Sequence, residues 1–546
     1  MRRSRSGGLV LAFALALVTA AFAAVGSGVA AARTPSGAPA QRHRQAGTTV
    51  TVTVQDNVFK PKSIEIDPGT TVKWVNKGRN LHNVLPNKGH LFGTDSLASG
   101  KSYSFTFKDP GDYPYYCSFH GAPNSGMAGS VTVRGAATGS TTAPSTPGST
   151  AAPAKPRTIR VPADSPTIQG AVDQANPGDL VLVSPGTYKE AVTVTRPNIV
   201  IRGLDRNTTI LEGSFQLANG IIVSGANGVA VENLTARDYQ GNGFYWTGVN
   251  GYRGSYLTAY RNGDYGIYAF NSTNGLFEHS YASGSPDSGF YIGQCNPCNA
   301  VIDDVVSEYN QLGYSGTNAS GQLFVVNSRW DKNRAGIVPN TLDSEALPPQ
   351  GNAVFAGNVV FDNQSPKAAR SSTAEFDAVF GSGIAVVGGN DNIITKNLVL
   401  NQARAGIVIA PNPGIQQNAY QSSGNKVTGN VVRGSGLADL AVLATPATAN
   451  NCFSGNTFKK SSPANVEKAA PCEGTGTGDF TTGAIDLSPF LDTSKNPAAT
   501  PYQQTPVPKK QPNMRNPRTS KAVPATSDKV PGTLPDLTKI KTPKKK

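Results

Sequence analysis

At 546 residues the chain is longer than one hydrophobic core organises, so two or three domains are expected. The net charge of +14 would suggest a polyanion partner, but Pro501 to Lys546 holds eleven Lys or Arg against Asp528 and Asp536, which accounts for +9 of it. The rest is nearly neutral, and no nucleic-acid groove is expected.

The chain starts with a basic MRRSRS, an apolar GGLVLAFALALVTAAFAAVG and a small-residue VAAA, the pattern of a signal peptide over residues 1–32. No later segment approaches ~18 apolar residues, so no transmembrane segment is expected after cleavage. The mature protein is expected to be secreted, extracellular or held at the cell surface. No lipobox cysteine follows the apolar run, and Arg2 with Arg3 does not by itself specify twin-arginine export.

Between residues 48 and 134, apolar and polar residues alternate in TTVTVTVQDNVF, SIEIDPGTTVKWVNKG, SYSFTFKDPGDYPYYC and MAGSVTVRG, with Gly, Pro, Asn and Asp between them. This pattern predicts half-buried antiparallel strands and an all-β sandwich. The sandwich carries His82, followed by Cys117, His120 and Met127 in YYCSFHGAPNSGM. A thiolate, two imidazoles and a thioether select copper, with Cys and two His in a plane and Met as a weak axial ligand. One type 1 copper ion is therefore expected. Cys117 should end a strand, His120 and Met127 should lie on the loop before the last strand, and His82 should arrive from a distant strand. A lone Met is otherwise often a core gap filler. His43 and His90 have no partner at ligand spacing and are expected on the surface. Asn83 is placed to restrain the thiolate from behind.

The runs FKPKSIEIDPGTTVKWVN, LHNV, GDYPYYCSFH and GMAGSVTV resemble a plastocyanin- or azurin-type cupredoxin over residues 48–134. The resemblance implies ligand roles for His82, Cys117, His120 and Met127, and one-electron transfer through an exposed His120 edge. The six residues between His120 and Met127 make a somewhat longer gap than in plastocyanins.

Of five cysteines, Cys117 is the odd one, and its neighbours account for it. The other four allow three pairings, of which Cys295 to Cys298 with Cys452 to Cys472 is the most local. A metal at QCNPC is the alternative, although no further Cys or His pair follows it.

Residues 135–157 form a Pro/Ser/Thr-rich linker expected to be a semi-extended tether. In residues 158–472, glycine precedes an apolar strand at Gly220, Gly243, Gly266, Gly289, Gly313 and Gly336, in steps of 23, 23, 23, 24 and 23, and again at Gly383 and Gly406. The period predicts a solenoid. The LxxLxLxxN pattern of leucine-rich repeats is missing. β-Branched residues with Gly and Asn fit a right-handed parallel β-helix of about a dozen coils, roughly 50–60 Å long at ~4.8 Å per coil. Asn and Asp at the turns should adopt left-handed backbone and stack in ladders. SPTIQGAVDQANPGD predicts a capping helix with Ser165 as N-cap, Pro166 at its first position and Ile168, Val172 and Ala175 on one face. The run from TIQGAVDQANPGDLVLVSPGTYKEAV to NIVIRG resembles pectin-lyase-like β-helix proteins, which implies fold and not activity.

No catalytic residue is assigned. His279 stands alone in FEHSYA, the adjacent Asp303 and Asp304 should point to opposite faces, and Asp331 with Arg334 could meet at a turn. Tyr239, Tyr245, Trp246, Tyr252, Tyr256, Tyr260, Tyr265 and Tyr268 form either a sugar-stacking face or an aromatic stack between coils. Residues 475–546 are a Lys/Pro-rich tail expected to be disordered, with KTPKKK suited to an anionic wall polymer or membrane surface.

Together these features describe an all-β, exported type 1 copper protein that carries single electrons. Its β-helix would bind a redox partner protein or a cell-wall polysaccharide. Two alternatives remain open: an extracellular lyase- or epimerase-like enzyme with an accessory cupredoxin, and a copper delivery or storage protein.

Overall fold

The computed structural model describes residues 41–42, 49–78, 80–87, 91–135, 155–371, 375–413, 418–443, 449–484 and 492–544. The proposed signal segment, His43, His90 and most of the linker lie outside the described residues.

The N-terminal domain is a sandwich. One sheet orders Ser63–Ile66, Ser125–Val133, Gly111–Ala122, His82–Pro86 and Thr94–Leu97, and the other orders Val58–Lys60, Thr49–Gln55, Thr70–Asn76 and Ser102–Phe107. Alternation in the sequence becomes alternation in burial: in TTVKWVN every second residue is buried. Trp74 is fully buried between the sheets and packs on Phe92, Tyr103, Phe107 and Tyr115.

The second domain is the expected parallel β-helix. Among the described residues its three faces are parallel sheets of 12, 10 and 11 strands, and each strand pairs with the equivalent strand one coil on. The spaced glycines open the strands of the 11-stranded sheet because there is no room there for a side chain. A Cβ on Gly243 would lie 2.7 Å from Gly266 O, and one on Gly313 would lie 2.6 Å from Gly336 O. Asparagines stack as ladders: the Asn310 side-chain amide donates to Asn333 Oδ1, and that of Asn333 to Asn363 Oδ1. Turn residues such as Asn233 and Asn271 adopt positive φ, as expected.

The cap helix is Ile168–Gln174, with Thr167 and not Ser165 as N-cap. Thr167 Oγ1 accepts from Gly170 N, while Ser165 Oγ donates to the Thr167 carbonyl, so the helix begins beyond the predicted Pro166. Ile168, Ala171 and Val172 cover the first coil, and both expected disulfides, Cys295–Cys298 and Cys452–Cys472, are present.

The aromatic residues are not an exposed face. Tyr239, Tyr245, Trp246, Tyr252, Tyr260, Tyr265 and Tyr268 are buried, and Tyr256 is half-buried. Tyr245, Tyr268 and Tyr265 stack in sequence at 4.4 and 4.1 Å between ring centroids. Asp331 does not meet Arg334: it pairs with Arg329 and Lys332, while Arg334 lies 3.9 Å from Asp377. Asp303 ends its strand and Asp304 turns with positive φ, so strand alternation does not govern the pair; Asp304 accepts His279 Nδ1 at 2.7 Å.

The tail departs from its expectation. Residues 492–544 follow the β-helix surface, and their scattered apolar side chains meet an apolar sheet face. Ala522, Ala525 and Val530 pack on Leu180, Leu182, Val200 and Ala230, while Leu534, Leu537 and Ile540 pack on Val301, Val326 and Val354. Buried arginines satisfy tail carbonyls: Arg202 donates to those of Pro517, Ser520 and Lys521, and Arg206 to that of Pro512. A proline-rich segment with few internal hydrogen bonds thus obtains partners from the rod.

Arg206 also donates to Thr258 Oγ1 and to the Leu257 and His279 carbonyls. Arg206→Ala removes the donor that ties these coils to the tail and leaves Thr258 Oγ1 without its buried donor, at a cost of about 2–4 kcal/mol. Limited trypsin digestion of the full chain is expected to cut faster at Lys509, Lys510 and Arg515, with an unchanged far-UV circular dichroism spectrum.

Candidate metal centre

A local irregularity in one hairpin builds the site. Gly111–Ala122 and Ser125–Val133 pair regularly up to Tyr116 with Ala128, and again at Gly121 with Gly126. Between these points residues 117–120 face the single residue Met127, so the longer strand bulges and gathers Cys117 and His120 opposite the methionine. The ligand-bearing segment is therefore a bulged hairpin and not the free loop expected. On the neighbouring strand, His82–Pro86, Leu85 pairs with Tyr116, and His82 at the start of that strand lies against the bulge.

His82 Nδ1 lies 3.6 Å and His120 Nδ1 3.4 Å from Cys117 Sγ. Both imidazoles turn the same nitrogen toward one sulfur, all three residues are buried, and Cys117 is the free cysteine. Bonds of ~2.0 Å to nitrogen and ~2.3 Å to sulfur from one ion, opened by about 120°, would separate N and S by roughly 3.8 Å. The observed separations are within a few tenths of an ångström of that value, so the donor set fits a copper ion. Met127 is buried in the same apolar cluster as Cys117. Asn83 clamps the residue after the cysteine: its Oδ1 accepts Ser118 N at 2.8 Å, and its Nδ2 donates to Ser118 Oγ at 2.8 Å.

The β-helix covers this hairpin. Asn219 Nδ2 donates to the Ser118 and Phe119 carbonyls at 2.8 and 3.2 Å, and Asn242 Nδ2 to that of Phe119 at 3.3 Å. Tyr245 Oη donates to the His120 carbonyl at 3.3 Å, and Asn57 Nδ2 donates to Tyr268 Oη at 2.9 Å. His120 is only 1% exposed, which corrects the expectation of an open His120 edge. Its Nε2 faces Asp264 Oδ2 at 3.6 Å, and His82 Nε2 faces Asp56 Oδ1 at 3.9 Å. Beside this contact, Leu81, Phe119, Gln240, Gly241 and Asp264 line a cleft of about 100 Å³. The sequence gives no sign of Asp56, Asn219, Asn242, Tyr245 or Asp264 at the site, because none has a ligand neighbour at recognisable spacing.

The copper binding proteins of the plastocyanin/azurin family match residues 46–134. A plastocyanin from Scenedesmus fuscus is 38% identical over 87 residues, 14% of this chain and 87% of that protein. The chain belongs to the plastocyanin/azurin family of copper binding proteins. Its cupredoxin domain is also similar to amicyanin from Paracoccus denitrificans, 30% identical over 122 residues that make up 22% of this chain and 90% of that one. The plastocyanin of Nostoc punctiforme is 34% identical over 14% of this chain and 65% of its own length. A right-handed β-helix region matches residues 204–347 and 242–418.

In the metal-free protein Cys117 and His120 each favour the charged form of the other. Burial pushes the Cys117 thiol up, but the His120 and His82 imidazoles more than reverse this and bring it from 9.0 down to about 5. Burial pushes His120 down, and the Cys117 thiolate with Asp264 raises it from 6.5 to about 9. The depressed thiol contributes stability that is complete above its unfolded value and lost as pH falls through about 5. The raised imidazole contributes stability that is complete below 6.5 and lost as pH rises through about 9. The ultraviolet thiolate absorbance of the metal-free protein is therefore expected to persist on acidification until about pH 5, and thermal stability to fall as pH drops from 6.5 toward about 5, where the thiol contribution declines with no compensating gain from the imidazole. A thiolate signal that disappears near the ordinary thiol value of 9.0 would contradict this arrangement.

Proposed function

We propose that this chain is an exported type 1 copper protein that moves one electron at a time, with His82, Cys117 and His120 as the strong ligands and Met127 as the weak fourth. The observation that carries this reading is the convergence of both Nδ1 atoms on one buried sulfur. A copper ion held there supplies a one-electron Cu(II)/Cu(I) couple. Cys117 offers a thiolate at neutral pH, the bulged hairpin sets its distance from the two rings, and the Asn83 clamp prevents the cysteine strand from relaxing. Burial of all three donors excludes water. A rigid dry cage of this kind keeps rearrangement small when charge changes. Export rests on the apolar leader over residues 1–32.

With His120 covered, a redox partner reaches the site by the cleft beside it, where Leu81 and Asp264 come to the surface over the buried Phe119. The β-helix presents the copper domain to that partner or to a wall glycan. Burial beneath a second domain supports an electron carrier over a delivery protein, which must let the ion leave. The lyase or epimerase alternative loses support because Asp331 and Arg334 are apart and the aromatic cluster is buried.

One equivalent of Cu(II) added to the metal-free full chain is expected to produce an intense thiolate-to-copper visible band that a one-electron reductant bleaches reversibly. Cys117→Ser is expected to remove the band while leaving the far-UV spectrum in place. A wild-type protein that stays colourless with cupric salt would end this reading.

A further inference from the structure

We infer that Asp264, a β-helix residue, is a positioning residue for the copper centre, holding the His120 ring from behind and using its charge to favour the oxidised ion. The inference rests on the copper reading above and adds that the redox centre is assembled by two domains.

Each proposed imidazole ligand has one nitrogen toward Cys117 and the other toward a carboxylate. For His82 this is Asp56 of the same domain, with both side chains fully buried. For His120 it is Asp264, whose side chain is 17% exposed where it lines the cleft. Metal-bound histidines commonly direct their second nitrogen at a carboxylate, which fixes the ring and raises its basicity as a ligand. The 3.6 Å separation is an ion-pair distance and exceeds a direct hydrogen bond, so the carboxylate acts here chiefly through its charge.

Both sides of the contact are fixed. Asp264 N donates to the Gly241 carbonyl at 3.1 Å and the Asp264 carbonyl accepts from Asp287 N at 3.2 Å, so the turn is stacked between its neighbours in successive coils. On the copper side, Asn219, Asn242 and Tyr245 hold the carbonyls of residues 118–120. A chance surface contact would not be held from both domains. A negative charge near a metal stabilises the more positive oxidation state, and in a buried setting it is weakly screened.

The test uses the full chain loaded with copper, with the Cu(II)/Cu(I) ratio read from the visible band during a potentiometric titration. Asp264→Asn keeps the shape and removes the charge. It is expected to retain the band and to shift the ratio about tenfold toward Cu(I), a rise in potential of ~59 mV for one electron. Asp264→Glu is expected to restore most of the wild-type potential, and Asp95→Asn, a charge change on the exposed surface of the copper domain, to leave it unchanged. If Asp264→Asn also loses the band, Asp264→Glu decides: a retained band with a potential close to the wild-type value supports the inference, and a band lost with the charge still in place overturns it. An intact band with an unmoved potential overturns the inference while leaving the copper reading in place, whereas a wild-type protein without any band overturns both.

Discussion

Two ring nitrogens brought against one sulfur in a space without water is the constraint on which the rest of this protein depends. Three donors of this kind cannot be buried independently, because an isolated thiolate or imidazolium in an apolar core is costly. They are tolerable together, each offsetting the others, and a cation between them completes the set. The hairpin bulge follows from this requirement. Regular pairing would send Cys117 and His120 to different positions along the strand, whereas four residues opposite Met127 let the chain fold both inward.

The β-helix serves this centre through the same regularity that makes it a rod. Its coils come close enough that glycine is the residue that fits at the repeated turn, and asparagine amides pass hydrogen bonds from coil to coil. Two asparagines of such a ladder, Asn219 and Asn242, are joined to each other and still donate to carbonyls of the copper hairpin. The rod therefore holds the hairpin with backbone-directed contacts that a change of surface side chains on the copper domain would not remove.

The ligand set was legible because three of its four members lie within eleven residues, Cys117 to Met127, and because soft and borderline donors together are rare without a metal. The solenoid was legible from a period set by coil geometry, and the disulfides from parity. The cover over His120 was not, since Phe119 and Asn242 are 123 residues apart and no periodicity links them. Of the aromatic residues that suggested an open face, Tyr239, Trp246 and Tyr252 are buried inside the coils, and Tyr245 and Tyr268 lie against the copper domain, itself specified elsewhere in the chain. The tail was misread for a related reason. Averaged over its length it is too polar to fold, yet Ala525, Val530 and Ile540 need only a preformed apolar surface, and composition cannot report one. The cap helix was placed correctly but started too early, because Ser165 and Thr167 both suit an N-cap and their own hydrogen bond decides between them.

The course of that tail limits what the rod can offer to other molecules. Residues 522–540 cover stretches of the 12-stranded face, Pro506 to Gln511 border the 10-stranded one, and the copper domain sits on the 11-stranded one. Stretches of all three flanks are thus sheathed by the protein's own chain, and an extended polymer seeking a long bare groove would have to strip part of this sheath first. An antibody or a protease would meet the sheath before the coils, so access to the rod is governed by how firmly residues 492–544 stay fastened.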